Sequence, residues 1–191
     1  YSHLMERTNP PENAEAAADA LMPLAPAAGH LVHMASHIYQ RVGRYADSMK
    51  SNQLAIAADE DYIAQCRAQG IYPMMYYPHN IHFLWFAATG GGQSKVAIKS
   101  AREAASKVDD AVLEAMPLTA IFRMVPYWAL ARFGHWQEVL EEPAPPSTSP
   151  FLKGSWHYVR GLAFVATGQL QQADQELSAL REIMKNPALD L

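Results

Sequence analysis

The chain has 191 residues, half of them hydrophobic and 10% aromatic, which is enough apolar material for one ordinary core or a short repeat array and excludes disordered and collagen-like chains. Its 15 Lys and Arg stand against 19 Asp and Glu, a formal charge of −4, with no basic surface or like-charge block to hold a phosphate backbone, so no nucleic-acid partner is expected. The most apolar stretch, residues 116–133, is broken by Arg123, Pro126 and Arg132, so no membrane span is expected and the chain reads as soluble. The single Cys66 allows neither an internal disulfide nor a thiolate metal site and is expected to be a small buried hydrophobe. The unusual count is eight histidines.

Period-two alternation is absent, and Ala, Leu, Met, Gln and Glu fill the long segments, so the fold class is all-α. Residues 1–28 read as the end of one helix, to Thr8, followed by a second that starts at Pro10-Pro11-Glu12. That makes them a truncated unit and the chain a piece of something longer. Residues 29–62 form a helix–turn–helix unit about Gly43. Residues 63–77 are an insert whose Pro73, Met74, Met75, Tyr76 and Tyr77 are too apolar for a solvated loop. Residues 78–111 form a second unit about Gly92, and residues 120–140 a weaker one about Gly134, its first helix bent by Pro126. EEPAPPSTSP, residues 141–150, is a rigid linker, and residues 151–187 form the last unit about Gly168. The TGGGQSK run, residues 89–95, lacks the spacing of a phosphate loop and is expected to be an interhelix turn.

The glycines recur in one context: GRYADSMKSNQLA, GQSKVAIKSAREA, GHWQEVL and GQLQQADQEL. Around them Tyr39, Ser48, Ala55, Ala97, Ala104, Gly161, Phe164 and Ala173 fall where small and aromatic residues recur in a repeat of about 34 residues, and the pattern resembles the tetratricopeptide repeat. The resemblance implies a right-handed α-solenoid of helix–turn–helix repeats with a concave groove that takes a peptide or protein ligand. Tyr39, Trp85, Tyr127 and Phe164 are expected in the core. Phe86, Trp128 and Asn80 are expected to line the groove.

In this register His30, His33 and His37 take positions 2, 5 and 9 of their first helix, His79 and His82 take positions 2 and 5 of the next unit, and His3 takes position 9 of the truncated one. Steps of three and four residues put such positions on one helix face. His135 and His157 fall elsewhere and read as structural or surface residues. Facing imidazoles repel one another when protonated and need partners when neutral and desolvated; a Zn, Cu, Fe or Ni ion meets both conditions, because it accepts neutral imidazole nitrogen. His33 and His37, with His82 and His3, are the preferred ligands. His30 and His79 lie one turn along, as ligands of a second ion or as groups that orient the first. Met34 lies off the stripe, so thioether ligation is not favoured. A protein- or peptide-binding scaffold without metal is the alternative. With an open coordination position, and Glu6 or Asn80 near it, hydrolytic or redox chemistry would be accessible; catalysis stays open.

GHLVHMASHIYQRVGRYADS, residues 29–48, and YYPHNIHFLW, residues 76–85, are similar to two segments of a group of bacterial tetratricopeptide-repeat proteins. Relatives carry Pro where this chain has Ala35, and a further histidine-bearing segment upstream of Tyr1-Ser2-His3. The resemblance implies the repeat fold, leaves cytoplasm and periplasm both open, and supplies no activity.

Overall fold

A computed structural model describes residues 2–145 and 149–189. Residues 146–148, in the middle of the expected linker, and Tyr1 lie outside the described residues, as do residues 190 and 191. No strand occurs among the described residues, and the protein is all-α. The chain divides into two compact units, Tyr1–Lys107 and Val108–Leu191.

The first unit contains α1 (Ser2–Glu6), α2 (Glu15–Leu24), α3 (Gly29–Arg41), α4 (Tyr45–Cys66), α5 (Tyr77–Gly90) and α6 (Ser94–Ser106). Each of α2 to α5 packs on the helix that comes after it, and α1 packs on α3. The helix contacts are made close by small residues: Ala35, Ala55, Ala87, Ala88, Ala97, Ala101 and Ala104 have no exposed surface, while Ile38, Tyr39 and Ile81 supply bulk between them. Gly29 shows how close the approach is. A Cβ on it would lie 2.0 Å from Asp59 Oδ1 and 2.7 Å from the Ala55 carbonyl, so only glycine can start α3 there.

The second unit contains α7 (Asp110–Ala115), α8 (Ala120–Arg132), α9 (Trp136–Glu141), α10 (Pro150–Ala166) and α11 (Leu170–Ile183), with α10 packed on α8, α9 and α11. Phe122, Val125, Leu130, Leu152 and Val159 fill its interior. Pro126 lies inside α8 and is buried.

The four recurring glycines end their helices in the same way. Gly43, Gly92, Gly134 and Gly168 have φ of 77°, 69°, 72° and 77°, the left-handed region that costs any other residue about 1–2 kcal/mol. The residue after each donates its N–H five residues back: Arg44 to Tyr39 at 2.9 Å, Gln93 to Ala88 at 2.8 Å, His135 to Leu130 at 3.0 Å and Gln169 to Phe164 at 2.8 Å. This closure satisfies carbonyls that a helix end would leave bare, and the turn expected within residues 89–95 is formed by residues 91–93, between α5 and α6.

The stretch between α4 and α5 differs from a loop inserted between two units. Helix α4 runs on to Cys66, Arg67 stops it at φ 48°, and after Gly70 the chain winds at π-helical spacing through Tyr72–Tyr76 directly into α5. Tyr72 packs between Tyr62, edge-on, and Tyr76, tilted, at ring distances of 5.2 and 5.6 Å. Cys66 is exposed. The expectation that it is buried is corrected, because the last turn of the 22-residue α4 ends in solvent.

Candidate metal centre

The candidate site lies wholly in the first unit and begins with His33, in the middle of α3 and fully buried. Its Nδ1 is 2.7 Å from Asn52 Oδ1, on α4, and 3.3 Å from Ser36 Oγ. Asn52 donates its own Nδ2 to the Ser48 carbonyl at 2.8 Å, which fixes the amide with its oxygen toward the histidine. His33 therefore donates from Nδ1 and carries its lone pair on Nε2.

One turn along α3, His37 is 4% exposed. Its Nδ1 lies 3.0 Å from Glu6 Oε1, within ion-pair range but outside the alignment of a directed hydrogen bond. The neighbouring carboxylate favours a proton on that nitrogen, whereas a hydrogen bond to His33 requires one on Nε2, so the tautomer of His37 depends on which partner it serves. The two Nε2 atoms stand 3.0 Å apart. Arg41, at the end of α3, holds α1 against this face by donating to the Glu6 carbonyl and, at 3.1 Å, to Asn9 Oδ1.

His79, in the first turn of α5, completes the group. Its ring is 4.7 Å from that of His33 and 6.1 Å from that of His37, and ligand atoms of His33, His37 and His79 lie within 4.8 Å of one another. These three side chains could hold a metal ion. Phe83, one turn on, packs at 4.7 Å on His33, 4.5 Å on His37 and 4.8 Å on His79, an apolar wall that shields the cluster from water.

The remaining histidines of the sequence-derived stripe take different places. His3 packs edge-on to His37 with ring centroids 4.5 Å apart, and His3, Glu6 and His37 form a second group of donors within 4.8 Å. His30 stacks on His33 at 5.6 Å and meets Tyr76 at 4.9 Å; its Nδ1 is buried without a partner. His82, preferred as a ligand from its repeat position, packs instead on Trp85 at 5.0 Å, and it belongs to neither donor group.

Of the expected groove residues, Phe86 is 44% exposed beside Phe83 and Trp85. Asn80 is fully buried and donates to Asp59 Oδ2 at 2.7 Å, so it belongs to the interior and lines no open surface. Trp128 lies in the second unit, against a cavity of about 270 Å³ shared with Phe151, Tyr158 and Leu180.

Burial favours the neutral form of His30, His33, His37, His79 and His82. It holds His33, His37 and His30 below the usual imidazole range, for His37 against the opposing pull of Glu6. Burial together with the neighbouring histidines pushes His79 down to about 3, and burial alone takes His82 to about 4. Neutral imidazole is the metal-binding form.

Three contributors carry no signal in the sequence spacing. Asn52 is an ordinary amide nineteen residues from His33. Phe83 sits among other α5 aromatics. Asp59, fully buried, accepts from the Tyr72 hydroxyl at 2.6 Å as well as from Asn80, and burial raises its carboxyl above the usual range. Comparison with models of known families, with curated proteins and with solved structures gives no match.

Proposed function

We propose that the protein binds a transition metal ion through His33, His37 and His79. The observation that carries this is the gathering of ligand atoms from three half-buried to buried imidazoles within 4.8 Å of one another, with the Nε2 atoms of His33 and His37 only 3.0 Å apart. Without metal, a neutral Nε2–H tautomer of one ring hydrogen-bonds to the Nε2 lone pair of the other; a metal ion would take the place of that proton. Two imidazoles on one tetrahedral zinc stand about 3.3 Å apart at bond lengths near 2.05 Å, within a few tenths of the spacing present.

The chemistry of the donors agrees with this reading. Three neutral imidazoles suit Zn, Cu, Fe or Ni, and the Asn52 bond to His33 is the kind of outer hydrogen bond that fixes a ligating ring. Three protein ligands leave a coordination position for water or substrate. We further read the helix pairs α3–α4, α5–α6, α8–α9 and α10–α11 as tetratricopeptide-type repeats, supported by a matching glycine closure in each of the four; the site then draws on the first helices of two successive repeats.

Elemental analysis of purified protein, and titration of the metal-free chain with Zn, Cu, Fe or Ni near neutral pH, test the proposal. An ion bound by the wild type and lost from His33→Ala and His79→Ala supports it. A wild-type chain that binds none of the four ions overturns it.

A further inference from the structure

His37 presents a different set of donors at each of its two ring nitrogens. Nε2 looks toward His33, and Nδ1 toward Glu6, 3.0 Å away. His3 stands on the Glu6 side, its Nδ1 3.6 Å from Glu6 Oε2 and its ring 4.5 Å from that of His37. His37 is more than nine-tenths buried, and its Nδ1 has no aligned hydrogen-bond partner. A buried nitrogen without a directed partner, aimed at a carboxylate and a second imidazole, is a ligand position.

Given the proposed metal site on His33, His37 and His79, on which this inference rests, we infer that the protein holds two ions that share His37: an inner ion on His33, His37 and His79, and an outer one on His3, Glu6 and His37. The two sites differ in kind. The inner donors are all nitrogen, and two of the three are buried. The outer set is two imidazoles and one carboxylate, with side-chain exposures of 61% for His3 and 31% for Glu6. Two histidines and a carboxylate with open positions suit an octahedral divalent ion such as Fe(II). Water and a small anionic or oxygen-donor ligand reach the outer ion directly, whereas the inner one is walled by Phe83. Binding the outer ion displaces the proton of His37 Nδ1 to solvent, and the ring then serves both ions as a bridging imidazolate.

Co(II) is the probe, because its absorption and magnetic properties report coordination number and coupling. The metal-free full chain is expected to take up two Co(II), and the second ion is expected to perturb the spectrum of the first through the shared ring. Glu6→Gln and His3→Ala, both altering side chains on the exposed flank, should each bind one ion with the unperturbed inner spectrum. His37→Ala should lose both. One ion in wild type and in both flank variants overturns the two-ion centre while leaving the His33–His37–His79 site standing. Two ions retained in Glu6→Gln and His3→Ala, or a first spectrum unchanged by the second ion, also overturns it. No ion in the wild type removes the underlying metal reading itself. Circular dichroism of each variant confirms that a lost ion is not lost fold.

Discussion

The two units treat histidine in opposite ways. In the second, His135 Nδ1 lies 2.5 Å from Glu138 and His157 Nδ1 lies 2.5 Å from Glu176, so each imidazole has its own carboxylate. In the first, His30, His33, His37 and His79 pack against one another, His30 stacked on His33 and both His37 and His79 edge-on to it, and the carboxylate in ion-pair range of the cluster is Glu6, at its edge. Both units are built from the same glycine-closed helix pairs, so the fold does not explain the difference. Histidine becomes informative when its natural counter-charge is withheld: a ring beside a glutamate is complete, whereas buried neutral rings that lean mainly on one another keep nitrogen donors to offer.

The sharpest way to break this contrast is to remove a donor from each unit. His33→Ala should weaken metal binding by at least about 100-fold, since even the groups that orient a ligand contribute about 10–100-fold, while His157→Ala should leave it unchanged. Binding isotherms on both variants decide. Acid should separate the units next. In the metal-free protein the unfolded chain takes up imidazole protons as pH falls below about 6.5, whereas native His82 and His79 resist protonation until about 4 and about 3. The unfolded state then binds more protons, and stability falls as pH drops through that window. Hydrogen exchange read peptide by peptide should show the first unit opening before the second, and a bound ion should delay it.

Asn52→Leu leaves every proposed ligand in place and should still reduce affinity about 10–100-fold by freeing the His33 tautomer. It should also lower stability by about 1–2 kcal/mol, because the buried His33 Nδ1 loses its 2.7 Å partner and keeps only the longer contact to Ser36 Oγ; calorimetry and denaturant unfolding measure the two effects. Glycine substitutions give the smallest contrast. Gly29→Ala forces a Cβ into Asp59 and the Ala55 backbone and should cost about 1–3 kcal/mol. Gly161→Ala, inside α10 with ordinary contact at 3.6 Å from Glu176 Cβ, should stabilise by about 0.5–1 kcal/mol through helix propensity.

Helix content and turn positions were legible in the sequence, because a glycine at a helix end and the composition of the flanking segments act locally. The gathering of His30, His33 and His37 on one face was legible for the same reason: three- and four-residue steps repeat on any helix. The nearness of His79 to His33 and His37 was not, since it depends on how α5 packs beside α3. Asn52 and Phe83 were silent because an amide and an aromatic are common, and only their placement against His33 distinguishes them. Cys66 misled through its hydrophobicity, which says nothing about whether its helix outruns its neighbours.

The π-helical turn at Tyr72–Tyr76 acts as a phase setting. Its closing bond runs from the Tyr77 N–H to the Tyr72 carbonyl, one residue longer than an α turn, and each residue added before a helix rotates the side chains beyond it by about 100°. Which of His79, Asn80, His82 and Phe83 looks inward is therefore decided by the winding upstream of them. A single deletion that tightens this turn would turn another face of α5 toward α3 and exchange one proposed ligand for another while every histidine stayed in the chain. On the proposed reading, the donor set would then change through the pitch of one turn, with the histidines themselves untouched.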